Sequence, residues 1–175
     1  KLEHLKEKIE IIERHSKDLV IRTSHQISRI SECDIIIAAT NAPEVIVKSE
    51  DIKPGTIIIN DAQPSDISSE ILEKRKDVLV IEGGVLSTPN INCHFNMGLS
   101  HKNDIFSCLA ETLLLTFRNS KNHFSIDEFD PDLFGKLEED SCKLNFKIGD
   151  LQNELGYISK QQLEEFAKII ETRHV

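Results

Sequence analysis

The sequence predicts an α/β fold built on a doubly wound parallel sheet, and three observations carry that expectation. Short runs of Ile and Val recur with little polar alternation: Asp18 to Arg22, Asp34 to Thr40, Thr56 to Asp61 and Val78 to Gly83. Such runs fit strands buried on both faces. Helical or crossover-length stretches separate them, at Gln26 to Glu32, Ser49 to Pro54 and Ser65 to Arg75, which is the alternation of a doubly wound sheet. The last three runs each end in small residues beside a hydrogen-bonding side chain, where ligands bind in such sheets.

The chain opens on Leu2, Leu5, Ile9 and Ile12, a helical spacing with Lys and Glu between. No N-cap and no initiator Met precede them, so this start predicts a fragment or a processed product. Ser65 to Arg75 reads as a helix, with Ile67, Ile71 and Leu72 on one side and Asp66 available near its start.

The strand ends are Ala38-Ala39-Thr40-Asn41-Ala42-Pro43, Asn60-Asp61-Ala62-Gln63-Pro64 and Glu82-Gly83-Gly84-Val85. Small residues let a ligand approach the backbone, and Gly takes positive φ. Turns use the same residue types. Three adjacent ends of one character favour a cofactor crevice formed by Thr40, Asn41, Ala42, Asp61, Gly83 and Gly84. A dinucleotide fold opens with a strand, a Gly-rich turn and a helix, yet no GxGxxG occurs. Gly83-Gly84 leads into a loop with Pro89, not a helix. The Gly-rich N-terminal half of such a fold is therefore expected to lie outside this sequence.

Residues 86 to 100 read as a loop that crosses the strand ends. His94 and His101 are its nearby imidazoles, and either could serve as acid or base near neutral pH. Ser100 to Phe117 reads as a helix, with Ile105, Phe106, Leu109, Ala110, Leu113, Leu114 and Phe117 as its apolar stripe. Cys108 falls roughly 150° from the centre of that stripe at 100° per residue, so packing against the core does not obviously explain it. Free cysteines are nonetheless among the most buried residues.

After Phe117 a polar linker, Arg118 to Asp130, leads to a helix starting at Pro131 with Asp130 as N-cap. Leu133, Phe134 and Leu137 are expected to face inward. Ser159-Lys160-Gln161-Gln162 is a capping box for a last helix whose stripe is Leu163, Phe166, Ala167 and Ile170. These divisions give a domain over 1–118 and a helical appendage over 119–175, the latter packing on the sheet or on another subunit.

With 30 acidic and 21 basic residues the net charge is −9, and no basic cluster favours nucleic acid. No apolar run reaches membrane-spanning length, and no signal peptide pattern opens the chain. Cys33, Cys93, Cys108 and Cys142 are widely spaced and read as reduced thiols of a cytoplasmic protein. Cys93, His94, His101 and Cys108 match no common zinc spacing, so no metal is expected.

Several runs together resemble a known family. They are Cys33 to Pro43, Asn60 to Ser68, Val78 to Gly84 and Phe106-Ser107-Cys108-Leu109-Ala110-Glu111-Thr112-Leu113-Leu114-Leu115. They are similar to the C-terminal part of long-chain acyl-(acyl-carrier-protein) reductase and related predicted amino acid dehydrogenases, which have a shikimate-dehydrogenase-like Rossmann fold. The resemblance implies NADPH-dependent reduction of a fatty acyl thioester to an aldehyde, with NADH left open as cofactor. It implies that Cys108 attacks the thioester and holds the acyl group. The acyl donor would be acyl carrier protein or a CoA thioester. Arg118, Lys121, His101 and Lys102 are the candidate basic contacts for an acidic carrier. Two alternatives stand beside it: an NAD(P)-dependent amino acid or shikimate-type dehydrogenase, and a degenerate, non-catalytic Rossmann-like binding module. A homo-oligomer is compatible with all three.

Overall fold

Residues 20–92, 94–121 and 131–173 are described by the computed structural model. The β-branched runs form three parallel strands in the order β1 (Ile35–Ala38), β2 (Ile57–Asn60) and β3 (Leu79–Glu82). One face of this sheet carries Ile36, Ala38, Ile58 and Val80 into a core with Val47, Ile52, Ile67, Ile71 and Val78. Helix α1 (Ser69–Lys74) and a 3-10 turn, Ser49–Asp51, lie in the connections that cover it. This is a Rossmann-like α/β arrangement, as the sequence predicts.

The expected burial on both faces is not met among the described residues. Ile35 is 59% and Ile37 68% exposed on the opposite side of β1. Side chains alternate along a strand, but a run of consecutive isoleucines hides that alternation from the sequence.

The first predicted strand also changes. Residues 20–22 carry no strand, and residues 18 and 19, like the predicted opening helix, lie outside the described residues. The segment before β1 is a 3-10 helix, Ile27–Glu32. Helix α1 is shorter than the sequence suggests because Asp66 does not cap it. Asp66 is buried and bonds the turn after β1 instead, leaving Ser68 as an N-cap with no side-chain bond.

A second sheet is antiparallel, with β5 (Asp104–Phe106) and β6 (Lys147–Ile148) on either side of β4 (Val85–Ser87). Strands β4 and β5 depart from the sequence reading. Residues 85–87 were expected in a strand end and loop, and residues 104–106 in a helix. Ile105 and Phe106 fit a helical stripe, but as an adjacent apolar pair they also fit a short strand. Their pairing with Leu86 and Val85 decides it. Helix α2 therefore runs over Ser107–Phe117. Its Ala110 and Leu114 are buried with Ile105, Leu137 and Phe146 in a second core.

Helix α3 (Pro131–Lys143) packs on α2. Leu137 is buried as expected, while Phe134 is half exposed; the predicted cap Asp130 lies outside the described residues. Buried Asp140 pairs with Arg118 and Lys143, and these cations hold its carboxyl below the usual range, with the Lys143 hydrogen bond foremost.

A hairpin, β7 (Gln152–Asn153) with β8 (Gly156–Tyr157), leads to helix α4 (Lys160–Arg173). The capping box forms: Gln162 N–H donates to Ser159 Oγ at 3.2 Å, and Gln162 Oε1 accepts from Ser159 N–H at 2.8 Å. Phe166 is buried and Ala167 is exposed. The Arg173 guanidinium reaches Asp34 at 2.6 Å and the Pro54 carbonyl at 3.2 Å. The segment after residue 118 thus lends β6 to the second sheet and straps the start of the first. Among the described residues no helix is long and apolar enough to cross a membrane.

Candidate functional site

Parallel register brings Ala38, Asn60 and Glu82, the last residues of β1, β2 and β3, level with one another. The ladder continues one residue further: Asp61 N–H donates to the Ala38 carbonyl and Gly83 N–H to the Asn60 carbonyl, each at 2.7 Å. Gly84 follows at φ +62, a conformation that favours glycine. A Cβ there would lie 2.7 Å from Ser107 Oγ and 2.9 Å from Asp61 Oδ1. Ser107 N–H in turn donates to the Gly84 carbonyl at 2.6 Å. Asp61, Gly84 and Ser107 are therefore drawn into one knot. The glycine lets this chain's own groups close together, whereas the sequence reading assigned the small residue to ligand approach.

Cys108 is the next residue, exposed, in the first turn of α2. This placement follows from β5, which ends the strand at Phe106 and starts the helix at Ser107. The N-cap Phe106 supplies no side-chain acceptor. The first N–H groups of a helix have no intrahelical partner, and the N–H groups of Cys108 and Leu109 are among them. Such donors can meet negative charge that develops on an oxygen beside the thiol. The exposure agrees with the helical position of Cys108 and removes core packing as its explanation.

The turn after β1 is built differently. Thr40 Oγ1 donates to Asp66 Oδ1 at 2.7 Å, Thr40 N–H to Asp66 Oδ2 at 3.2 Å, and Ala42 N–H to Thr40 Oγ1 at 3.1 Å. Thr40 and Ala42 thus shape the turn, and Asn41 is exposed at its tip.

Sequence reasoning did not select Glu82 as a site residue, although it stands at a strand end. It lines a cavity of about 280 Å³ together with Gln63, Ser65, Met97, Phe106 and Glu154. Gln63 Nε2 donates to Glu82 Oε1 at 3.0 Å. Partial burial pushes its carboxyl above the usual range, and the Glu154 and Asp61 carboxylates add to that. Hydrogen bonds from Asn60 and Gln63 oppose it. The signal in the sequence was a carboxylate directly before Gly-Gly at the end of an apolar run.

Neither histidine shares this cavity. His94 and His101 line a neighbouring one of about 370 Å³ with Phe95, Lys102 and Asp104, separated from the first by Met97 and Leu99. The His101 ring lies 4.8 Å from the Tyr157 ring. Asp104 is buried and accepts from Gln152 Nε2 at 2.9 Å. Among the described residues no three His, Cys, Asp or Glu groups gather into a metal site. Cys93, part of the one set considered, lies outside the described residues.

No family model matches the chain. Over 128 residues it is 30% identical to a curated protein, the aminotransferase PigE of Serratia sp. (strain ATCC 39006). The match covers 72% of this chain and 14% of that protein. The chain thus spans about a seventh of the curated relative's length, and that relative is an enzyme. Of the basic residues suggested as carrier contacts, Arg118 is already committed to Asp140 and to the Lys136 carbonyl.

Proposed function

We propose that this chain carries the acyl-transfer site of an enzyme that reduces fatty acyl thioesters to aldehydes with NADPH. The observation that supports it best is Cys108. It is an exposed thiol in the first turn of α2, beside a helix start held against Gly84 and Asp61 at the carboxyl ends of the parallel strands. A thiolate is a competent nucleophile, and a covalent thioester divides one exchange into two easier steps. In this reading Cys108 attacks the thioester carbonyl, and the N–H groups of Cys108 and Leu109 face the oxyanion. The carrier thiol leaves, and the acyl group stays on Cys108.

Asn41, Asp61 and Gly83 would form one end of the dinucleotide crevice, since ligands of such sheets lie at the carboxyl strand ends. The bound dinucleotide would supply hydride. The described residues offer no Gly-rich turn for a pyrophosphate, so that contact has to come from outside them. The relative's name, an aminotransferase, raises a different cofactor, pyridoxal phosphate, which is held through a lysine. Residues 38–43, 60–65, 82–85 and 107–108 contain no lysine, so this crevice does not fit that group.

The test is mass spectrometry of the intact protein after incubation with a long-chain acyl-CoA without reductant. An acyl adduct on Cys108, absent from Cys33, Cys93 and Cys142, is expected. Cys108→Ala should abolish both the adduct and aldehyde formation. Undiminished aldehyde formation by the Ala variant would sink the covalent route and favour a dehydrogenase that needs no cysteine.

A further inference from the structure

We propose that the cavity of about 370 Å³ lined by His94, His101, Lys102 and Asp104 binds a small apolar amino acid as its zwitterion, the ammonium on Asp104 and the carboxylate on Lys102. Binding there is separate from the acyl transfer read above and requires nothing of Cys108.

Asp104 opens β5 and is 3% exposed. Its Oδ2 accepts from Gln152 Nε2 at 2.9 Å, and Gln152 Oε1 accepts from Ser100 N–H at 2.7 Å. Its Oδ1 is buried and has no hydrogen-bond partner among the described residues. Buried polar atoms in folded proteins are paired, because leaving water without a new hydrogen bond is costly. Asp104 lines this cavity, whereas Gln152 lines the neighbouring one instead. Oδ2 is thus turned to the Gln152 side, and Oδ1 is the carboxylate oxygen left for a ligand.

The other wall residues narrow the class of that ligand. Lys102, His94 and His101 share the cavity, yet among the described residues none of them bonds Oδ1. The strongest donor from outside is a charged one, since charge-assisted hydrogen bonds exceed neutral ones. A simple cation would meet Lys102 in the same space, and a simple anion would meet Asp104. A molecule carrying both signs turns each repulsion into an attraction. Phe95, Met97 and Leu99 add apolar surface to the wall, and Phe95 is 72% exposed, surface that an aliphatic side chain would cover. The volume is at the small end of ligand pockets, which run from roughly 300 to 1,000 Å³, so a single small molecule suits it. Two side chains shape the loop in advance: Asn92 Oδ1 accepts from His94 N–H at 3.0 Å and Asn96 Oδ1 from Gly98 N–H at 2.8 Å.

Isothermal titration calorimetry of the intact chain tests this with three compounds of one shape. They are L-leucine, 3-methylbutylamine, which lacks the carboxylate, and 4-methylpentanoate, which lacks the ammonium. Leucine should bind, and 4-methylpentanoate should bind more weakly by about 10- to 100-fold, the contribution of one hydrogen bond to a charged group. Lys102→Gln, a change at an exposed side chain, should weaken leucine about two- to fivefold, the range of an exposed ion pair. The same change should leave 3-methylbutylamine undiminished. Asp104→Asn should erase the preference for leucine over 4-methylpentanoate. That variant also alters the bond to Gln152, so the comparison of the three compounds on wild type decides the matter if it fails to fold. No binding of leucine, leucine bound no tighter than either analogue, an equal Lys102→Gln loss for leucine and the amine, or a preference that survives in Asp104→Asn would each overturn the assignment.

Discussion

Glu82 is where the balance of forces on a single residue can be measured. Burial and two neighbouring carboxylates raise its folded-state pKa above the ordinary 4.5, against the pull of Asn60 and Gln63. For a carboxyl with a raised folded pKa, the unfolded chain ionises first as pH rises. Its stabilising contribution is therefore fully present below the unfolded pKa and lost as pH climbs through the folded one. Glu82→Gln keeps the shape and a neutral group at every pH. The variant should be more resistant to denaturant than wild type at pH 7 to 8, with the gain vanishing below about pH 4.5, the ordinary glutamate range. Urea unfolding at several pH values reads this directly. A gain that is constant with pH would show that Glu82 titrates as an exposed glutamate does. None of this was visible in the sequence. The strand end was legible from Val78 to Gly84, but the two carboxylates that act on Glu82 come from Asp61 and Glu154, one strand and some 70 residues away.

At the scale of elements, the boundary between β5 and α2 decides what Cys108 can do. A helix read from Ser100 places the thiol in its third turn, away from the unpaired N–H groups. Strand pairing of Asp104–Phe106 with β4 moves the helix start to Ser107 and the thiol into the first turn. Local pattern could not settle this, because strand pairing between residues 85–87 and 104–106 is a tertiary event. The capping box at Ser159 was legible for the opposite reason, since all its hydrogen bonds lie within four residues. The joint between β3 and α2 is the Gly84–Ser107 contact, and it gives a sharp test. Gly84→Ala places a methyl group at φ +62 and 2.7 Å from Ser107 Oγ. Gly98→Ala has a comparable φ of +78 but open space around the added carbon. The second change should cost about 1 kcal/mol for backbone strain alone, and the first about 1–3 kcal/mol more from crowding. Equal losses of stability for the two variants would mean that the α2 start is not held against the strand end. Gly84→Ala should also slow acylation of Cys108, as a small displacement of a reacting group has a large effect on rate.

At the scale of the whole molecule, the part of the chain beyond residue 118 makes contacts with both sheets. Strand β6 completes the sheet of β4, and Asn153 Nδ2 donates to the Val80 carbonyl at 3.1 Å on the edge of the parallel sheet. Phe166 of helix α4 lines one cavity with Val78 and Val80, and Arg173 of the same helix bonds Asp34 and Pro54 at the amino-terminal end of the parallel strands. Lys53 and Arg173 together hold the Asp34 carboxyl below its ordinary range, with Lys53 the stronger influence. Amphipathic spacing in the sequence showed that the helix has a face to bury, but which surface receives it depends on contacts more than 100 residues apart. An independent appendage would unfold separately and leave the parallel sheet intact. An integrated helix should share one cooperative transition with that sheet. Phe166→Ala then removes a buried aromatic ring at a cost of about 3–5 kcal/mol, and the loss should appear as faster amide exchange in β1, β2 and β3 as well as in α4. Retained protection in the three strands, with exchange accelerated in α4 alone, would separate the two parts and restore the boundary near residue 118. The first outcome would tie the helix to the proposed chemistry, because the strands it stabilises end in Ala38, Asn60 and Glu82, the level row beside the proposed Cys108 site.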